Sequence, residues 1–297
     1  MSEADARAID HRARIEEDVT SRVLESLAAS SDTRLSELLT SLTHHLHAFV
    51  REVRLTQREW EIAIDFLTQV GAITDGKRQE FILLSDVLGI SMLTVAINQP
   101  AHPSVTESTV VGPFFVARAP RVEQGGDISG GAAGTPAWVT GHVTDQEGDP
   151  VPGARIDVWE SDDDGFYDVQ YDDGRTAGRG HLVADDDGTF RFWCVKPSPY
   201  PIPHDGPVGQ LLAAAERSPM RPAHLHVMVT SPGHHTLVTH FFVAGSPHLD
   251  DDAVFGVKGS LIVPFTEHEP GIAPDGRHLD VPWCEARVDI VVATDKA

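Results

Sequence analysis

Apolar residues recur at helical spacing through the first third of the chain. Over residues 31–53, Leu35, Leu38, Leu39, Leu42, Leu46, Phe49 and Val53 form one broad stripe, the mark of an amphipathic helix. Leu55-Thr56 and Glu59-Trp60 then make a capping box with an apolar staple, so a second helix is expected from here to about Gly71. EFILLSDVLGISMLTVAIN (80–98) reads as a third helical stretch, closed by Pro100 and Pro103. From about residue 106 the period falls to two. WVTGHV, ARIDVWE, GTFRFWCV, AHLHVMVT, LVTHFFV and RVDIVVA are short alternating runs punctuated by Gly, Pro and Asp, the pattern of an antiparallel sandwich or barrel. One exception, GPVGQLLAAAERS (206–218), reads as a helix inserted between strands. The pattern predicts a mainly β protein with an α-helical N-terminal domain over 1–105 and an antiparallel β-sandwich over 106–297.

Composition narrows the partners. The 297 residues are 41% hydrophobic, which suits a folded body with a sizeable core. A formal net charge of −22 argues against a nucleic-acid or anionic-membrane partner, since phosphates attract basic patches. Two cysteines, Cys194 and Cys284, exclude a disulfide framework and point to a reducing, cytoplasmic setting. The segment MSEADARAIDHRARIEED is charged and does not read as a secretory signal. No apolar run approaches the roughly 20 residues of a membrane span.

Candidate chemistry begins in RPAHLHVMV. On a strand, His224, His226 and Met228 share one face and Leu225, Val227 and Val229 the other. Adjacent imidazoles suit a first-row metal ion. Among 16 histidines such pairs also arise by accident, as at His45-Leu46-His47, and two surface histidines are the plain alternative. The apolar alternate face favours a strand packed on a core, with both imidazoles directed into a separate pocket. All three tyrosines lie in two segments: Tyr167 and Tyr171 in WESDDDGFYDVQY, and Tyr200 in VKPSPYPIPHDGP, where prolines stiffen the backbone. Ordinary packing is the competing reading for each. The triplets Asp162–164, 185–187 and 250–252 lack the calcium-loop pattern and read as turns, and Cys194 reads as a buried strand residue.

Taken together, these segments resemble the intradiol dioxygenases, in the branch containing the catechol and hydroxyquinol enzymes. VTGHVTDQEGDPVPGARIDVWESDDDGFYD is similar to that family's strand–turn–strand motif and first tyrosine, KPSPYPIP to the second tyrosine, and RPAHLHV to its arginine and histidine pair. EFILLSDVLG and TESTVVGPFFV carry the resemblance into the N-terminal helices, so it spans nearly the whole chain. It implies a β-sandwich catalytic core holding a non-haem Fe(III) cofactor through Tyr167, Tyr200, His224 and His226. Tyr200 and His226 would be axial, Tyr167 and His224 equatorial. Phenolates are hard anionic donors that favour Fe(III) over Fe(II), and the ion in turn depresses a phenol pKa from about 10.

The same resemblance implies a small aromatic diol or triol and O2 as substrates. Tyr200 takes a substrate proton, and Arg221 binds the ring and stabilises charge developing on it. His240 stands where many catechol enzymes carry Gln and, with HLDDDAVFGVKGSLIVPF, is similar to the hydroxyquinol branch; it joins the catalytic set. Leu83, Asp86, Val110, Val111, Gly112, Pro113, Phe114, Ile202, Pro203 and Val254 line the pocket with Arg221, and Asp86 can accept a hydrogen bond from a third ring hydroxyl. The expected reaction is hydroxyquinol to 3-hydroxy-cis,cis-muconate (maleylacetate), with catechol to cis,cis-muconate as the alternative. A homodimer through the N-terminal helices is implied, with room for a phospholipid. Outside this class stand a non-catalytic prealbumin-like binding module, which needs no metal, and a zinc hydrolase using the HxH pair, which is colourless.

Overall fold

The computed structural model describes residues 3–76, 78–100 and 102–295. They form two compact units, Met1–Thr68 and Gln69–Ala297. In the first, α1 (Glu3–Leu27) packs on α2 (Thr33–Glu52), joined by Thr20 Oγ1 to His47 Nδ1 at 2.9 Å and by Arg51 donating to the same hydroxyl at 2.7 Å. Asp32 caps α2 by accepting from the Leu35 N–H at 2.9 Å. No bounded helix was expected over α1, although Ile15, Val19, Val23 and Leu27 recur four residues apart within its charged sequence. Helix α3 (Gln57–Ile73) starts at the expected box, with Thr56 N–H on Glu59 Oε2 at 2.8 Å and Glu59 N–H on Thr56 Oγ1 at 3.3 Å. It runs two residues past Gly71, the expected stop, and that glycine lies against the Phe81 ring.

Residues 80–98 are two helices. α4 (Glu80–Val87) and α5 (Ile90–Asn98) meet at a 77° bend where Gly89 adopts φ +73°, a left-handed conformation that glycine reaches at little cost. Among the described residues no single helix is long and apolar enough to cross a membrane.

The second unit is a sandwich of two five-stranded sheets. In one, β1 (Pro136–Asp145) is central. It pairs antiparallel with β4 (Thr189–Val195) on one edge and parallel with β13 (Trp283–Arg287) and then β14 (Ile290–Val292) along the other; β10 (Thr266–His268) adds to β13. The other sheet has the order β3 (Arg179–Val183), β2 (Arg155–Trp159), β7 (His224–Thr230), β8 (Leu237–Val243), β9 (Ile262–Val263). Both sheets are mixed, because β1–β13, β1–β14 and β8–β9 are parallel; a period of two reports which face is buried but not the direction of the partner. Val139, Val143, Phe190 and Phe192 from the first sheet meet Ile156, Val158, Leu182, Leu225, Val227 and Val229 from the second in one dry core. Two short pairs complete the unit: β5 (Tyr200–Pro201) with β6 (Met220–Arg221), and β11 (Gly271–Ile272) with β12 (His278–Leu279). The inserted helix α6 (Pro207–Ala214) begins with Pro in its first turn and is capped by buried Glu80, which accepts from Val208 N–H at 3.1 Å.

Candidate metal centre

The face of the second sheet turned away from the core carries the site. Strand register places Arg179 opposite Trp159, Trp159 opposite His226 and His226 opposite His240, one row across four strands. The His226 ring is stacked on Trp159 at 4.7 Å and stands edge-on to His240 at 4.2 Å, so its direction is fixed from both sides. His224, two residues earlier, shares the face, while Leu225 and Val227 enter the core as the alternation predicts.

Tyr167 follows a turn, and Tyr200 opens the short strand β5, paired with Arg221 of β6. Asp162 Oδ1 accepts from the Phe166 N–H at 2.8 Å and the Asp164 N–H at 3.1 Å, closing the acidic turn before Tyr167. Gly165 has φ +84°, and a Cβ there would lie 2.6 Å from Tyr200 Cβ; only glycine lets the two tyrosine segments meet. Tyr171 points elsewhere and donates to Asp162 at 2.6 Å, the packing role expected of it.

Four donor atoms converge. Tyr167 Oη lies 3.1 Å from Tyr200 Oη and 2.9 Å from His226 Nε2; His224 Nε2 lies 3.1 Å from His226 Nε2 and 3.4 Å from Tyr200 Oη. Bonds of about 2.0–2.1 Å to a first-row ion, at right-angle to tetrahedral openings, set neighbouring donors about 2.9–3.4 Å apart. The spacing fits. His224 Nδ1 donates to the Pro222 carbonyl at 2.7 Å, which leaves Nε2 as a lone pair facing its neighbours. Burial, then the Arg221 charge, lowers the His224 pKa to about 3; burial likewise holds His226 and His240 far below the usual imidazole range. All three are therefore neutral, as ligation requires. Burial pushes both phenols up, and a cation bound between them would reverse that. His240 holds its own nitrogen within 4.8 Å of those of His224 and His226.

Behind these donors, Arg221 is 3% exposed and Asp252 5%. Arg221 donates Nε to Asp252 Oδ1 at 3.0 Å, and its Nη1 and Nη2 lie 3.1 Å from His224 Nε2 and 3.4 Å from His240 Nδ1. Asp252 belongs to a triplet expected to be a plain turn. It does accept the Gly256 N–H at 2.8 Å, yet its main partner is a buried cation. A second such pair, Arg179 with Asp168, lies beside Tyr167. Neither partner was singled out by motif, although an arginine between two glycines in AGRGHL (177–182) is a faint signal of tight packing.

A cavity of about 890 Å³ adjoins the donors, lined by Leu83, Asp86, Pro113, Phe114, Ile202 and Pro203 together with Tyr200. Arg221, Val110, Val111, Gly112 and Val254 are outside that lining. Gly112 approaches His226, to 3.3 Å from where a Cβ would sit, and Val254 is buried beside Asp252. Asp86 is buried and its Oδ1 has no hydrogen-bond partner. Burial raises its pKa against a Ser91 hydrogen bond and the Arg221 charge. A carboxyl raised in the fold costs stability once pH passes its unfolded value near about 3.9. Asp86→Asn is thus expected to match the parent protein in acid and to exceed it increasingly towards neutral pH, read from denaturant midpoints across the pH range.

Fold and site together define a β-sandwich protein with a buried oxygen–nitrogen donor set of metal-binding spacing beside a mostly apolar cavity. Residues 110–285 match the family model described as Dioxygenase, and 32–106 the one described as Catechol dioxygenase N terminus. A hydroxyquinol 1,2-dioxygenase of Nocardioides simplex is 61% identical over 279 residues, covering 94% of this chain and 95% of that protein. One from Rhodococcus opacus is 58% identical over 299 residues and 100% of both. The crystal structure of hydroxyquinol 1,2-dioxygenase from Pseudomonas putida DLL-E4 superposes with a TM-score of 0.88 at 44% identity, covering 95% of this chain and 100% of that one. The chain belongs to the intradiol ring-cleavage dioxygenase family. The binding-module and zinc-hydrolase readings fall away with that membership.

Proposed function

We propose that the protein cleaves hydroxyquinol between its two adjacent hydroxylated carbons, using O2 and a non-haem Fe(III) held by Tyr167, Tyr200, His224 and His226. The convergence of two phenol oxygens and two imidazole lone pairs within 3.4 Å carries this reading. Fe(III) held by these four side chains would supply a Lewis-acidic centre that activates the bound diol toward O2. The chain does the rest. Tyr200 Oη, at the cavity wall, accepts a substrate proton. Arg221, held by Asp252, presents a fixed positive charge to the ring, and His240 extends that polar edge. Pro113, Phe114 and Ile202 clasp the ring faces and keep water out. The open Oδ1 of the Asp86 carboxyl supports recognition of a third hydroxyl, which catechol lacks.

The exposed stripe of α2, Leu35, Leu38, Leu42, Leu46 and Phe49, supports a homodimer through the N-terminal helices, and such apolar faces also suit a phospholipid chain. Two buried free cysteines accord with a cytoplasmic setting. A division at 1–105 and 106–297 is supported by the two family matches, which part between 106 and 110.

The test combines iron analysis, the visible tyrosinate-to-iron absorption and kcat/KM on hydroxyquinol and catechol. A coloured iron protein preferring hydroxyquinol is expected, and Asp86→Leu should shrink that preference at least about tenfold. An iron-free preparation, or one that prefers catechol, overturns the reading.

A further inference from the structure

One cation on the site face has no part in the reaction just described. Arg179 opens β3, is 4% exposed, and ends the cross-sheet row that runs through Trp159 and His226. Its Nε lies 2.9 and 2.8 Å from the two Asp168 oxygens, and Nη2 contacts the same carboxylate. Nη2 also donates to the Phe114 carbonyl at 3.0 Å. Asp168 directly follows Tyr167, and the Phe114 ring is stacked on Tyr167 at 4.4 Å and 23°. One guanidinium therefore joins three pieces: the turn that delivers Tyr167, the loop that forms the cavity wall, and the strand beside Trp159, on which His226 rests.

The neighbouring glycines hold this arrangement tightly. Gly178 has φ +60°, and a Cβ there would meet the Glu160 carbonyl at 2.9 Å; one on Gly180 would meet Ile128 at 2.7 Å. The Arg179 charge also reaches His226, where it opposes protonation. As a stabilising device the pair is poor, because desolvation offsets the attraction and apolar residues of similar volume often serve as well. What apolar residues cannot provide is a planar fork that fixes two separate acceptors in direction.

We propose that Arg179 is a positioning residue of the ring-cleaving site, locking the Tyr167 phenol oxygen and the Phe114 wall to each other so that the donor set and the ring-binding surface keep one geometry. This rests on Tyr167 being an iron ligand, as proposed above. Two variants of the iron-loaded protein test it. Arg179→Lys keeps the charge but replaces the fork with a point donor. Arg179→Met combined with Asp168→Leu removes the pair without stranding a buried charge. The readouts are the position of the tyrosinate-to-iron band, kcat and KM for hydroxyquinol, and Tm.

Both variants are expected to shift the band and lower kcat about 10–100-fold with a smaller change in KM. The double variant should melt close to the parent protein. A double variant with restored Tm, unshifted band and parental kcat makes the pair merely structural and ends the proposal. Should the double variant not fold, an unshifted band and full kcat in Arg179→Lys end it equally. A parent protein that binds no iron defeats the functional reading instead, before any variant is made.

Discussion

His226→Ala is expected to purify without iron or visible colour and to turn over at least about a thousandfold more slowly, since altering even an outer partner of a metal ligand costs about 10–100-fold. The ring it removes lies between Trp159 and His240, and its Nε2 stands 2.9 Å from Tyr167 Oη and 3.1 Å from His224 Nε2. β7 is paired on both edges in fixed register, so the remaining donors keep their places when that ring is removed. The control is His45→Ala. His45-Leu46-His47 has the same spacing but lies on α2, where His45 is exposed and His47 bonds only to Thr20 among the contacts seen. That variant should keep its full iron content and rate. Atomic absorption, the visible spectrum and O2 uptake measure all three effects. Iron and colour retained in His226→Ala would falsify the ligand assignment.

The contrast between those two HxH pairs shows what was legible in the chain. Alternation identified β7 and its two faces correctly, because burial on one side of a strand is a local property written every second residue. It did not tell which histidines meet tyrosines, since Tyr167, Tyr200 and His226 are far apart in sequence and are brought together by turns and pairing; there the resemblance to a family supplied the set. The bend at Gly89 was invisible for a related reason: the apolar period continues across it, and only the backbone conformation changes. RVDIVVA reads as one strand, yet the chain gives two segments, β13 and β14, following one edge of β1 where Gly141 lets the Val288 carbonyl come close. Asp252 and Arg179 were hidden most completely. A buried charge looks in sequence like a surface charge, and only its partner in space distinguishes the two.

That partner makes Asp252 the site of the second large effect. Asp252→Asn is expected to cost on the order of 3–5 kcal/mol near pH 7, because it leaves Arg221 charged, buried and without its counterion. In melting temperature that is a fall on the order of 10 °C. Burial alone would raise the Asp252 pKa, but the Arg221 charge and hydrogen bonds outweigh it and hold the carboxyl below its usual range. The sign of the pH dependence follows. A depressed folded pKa contributes stability that is present above the unfolded value, near about 3.9, and lost as pH falls through the folded one. The difference between Asp252→Asn and the parent protein should therefore be widest at neutral pH and shrink in acid. Turnover separates this structural effect from chemistry. Arg221→Leu with Asp252→Leu removes the unpaired charge and should recover most of the lost stability, yet remain about 100- to 1000-fold slower in kcat/KM if Arg221 has the role proposed for it above. Thermal melts across pH and steady-state kinetics on the three proteins decide it. A penalty in Asp252→Asn that stays constant with pH, or a double variant with parental kcat/KM, would show that Arg221 and Asp252 act through packing alone.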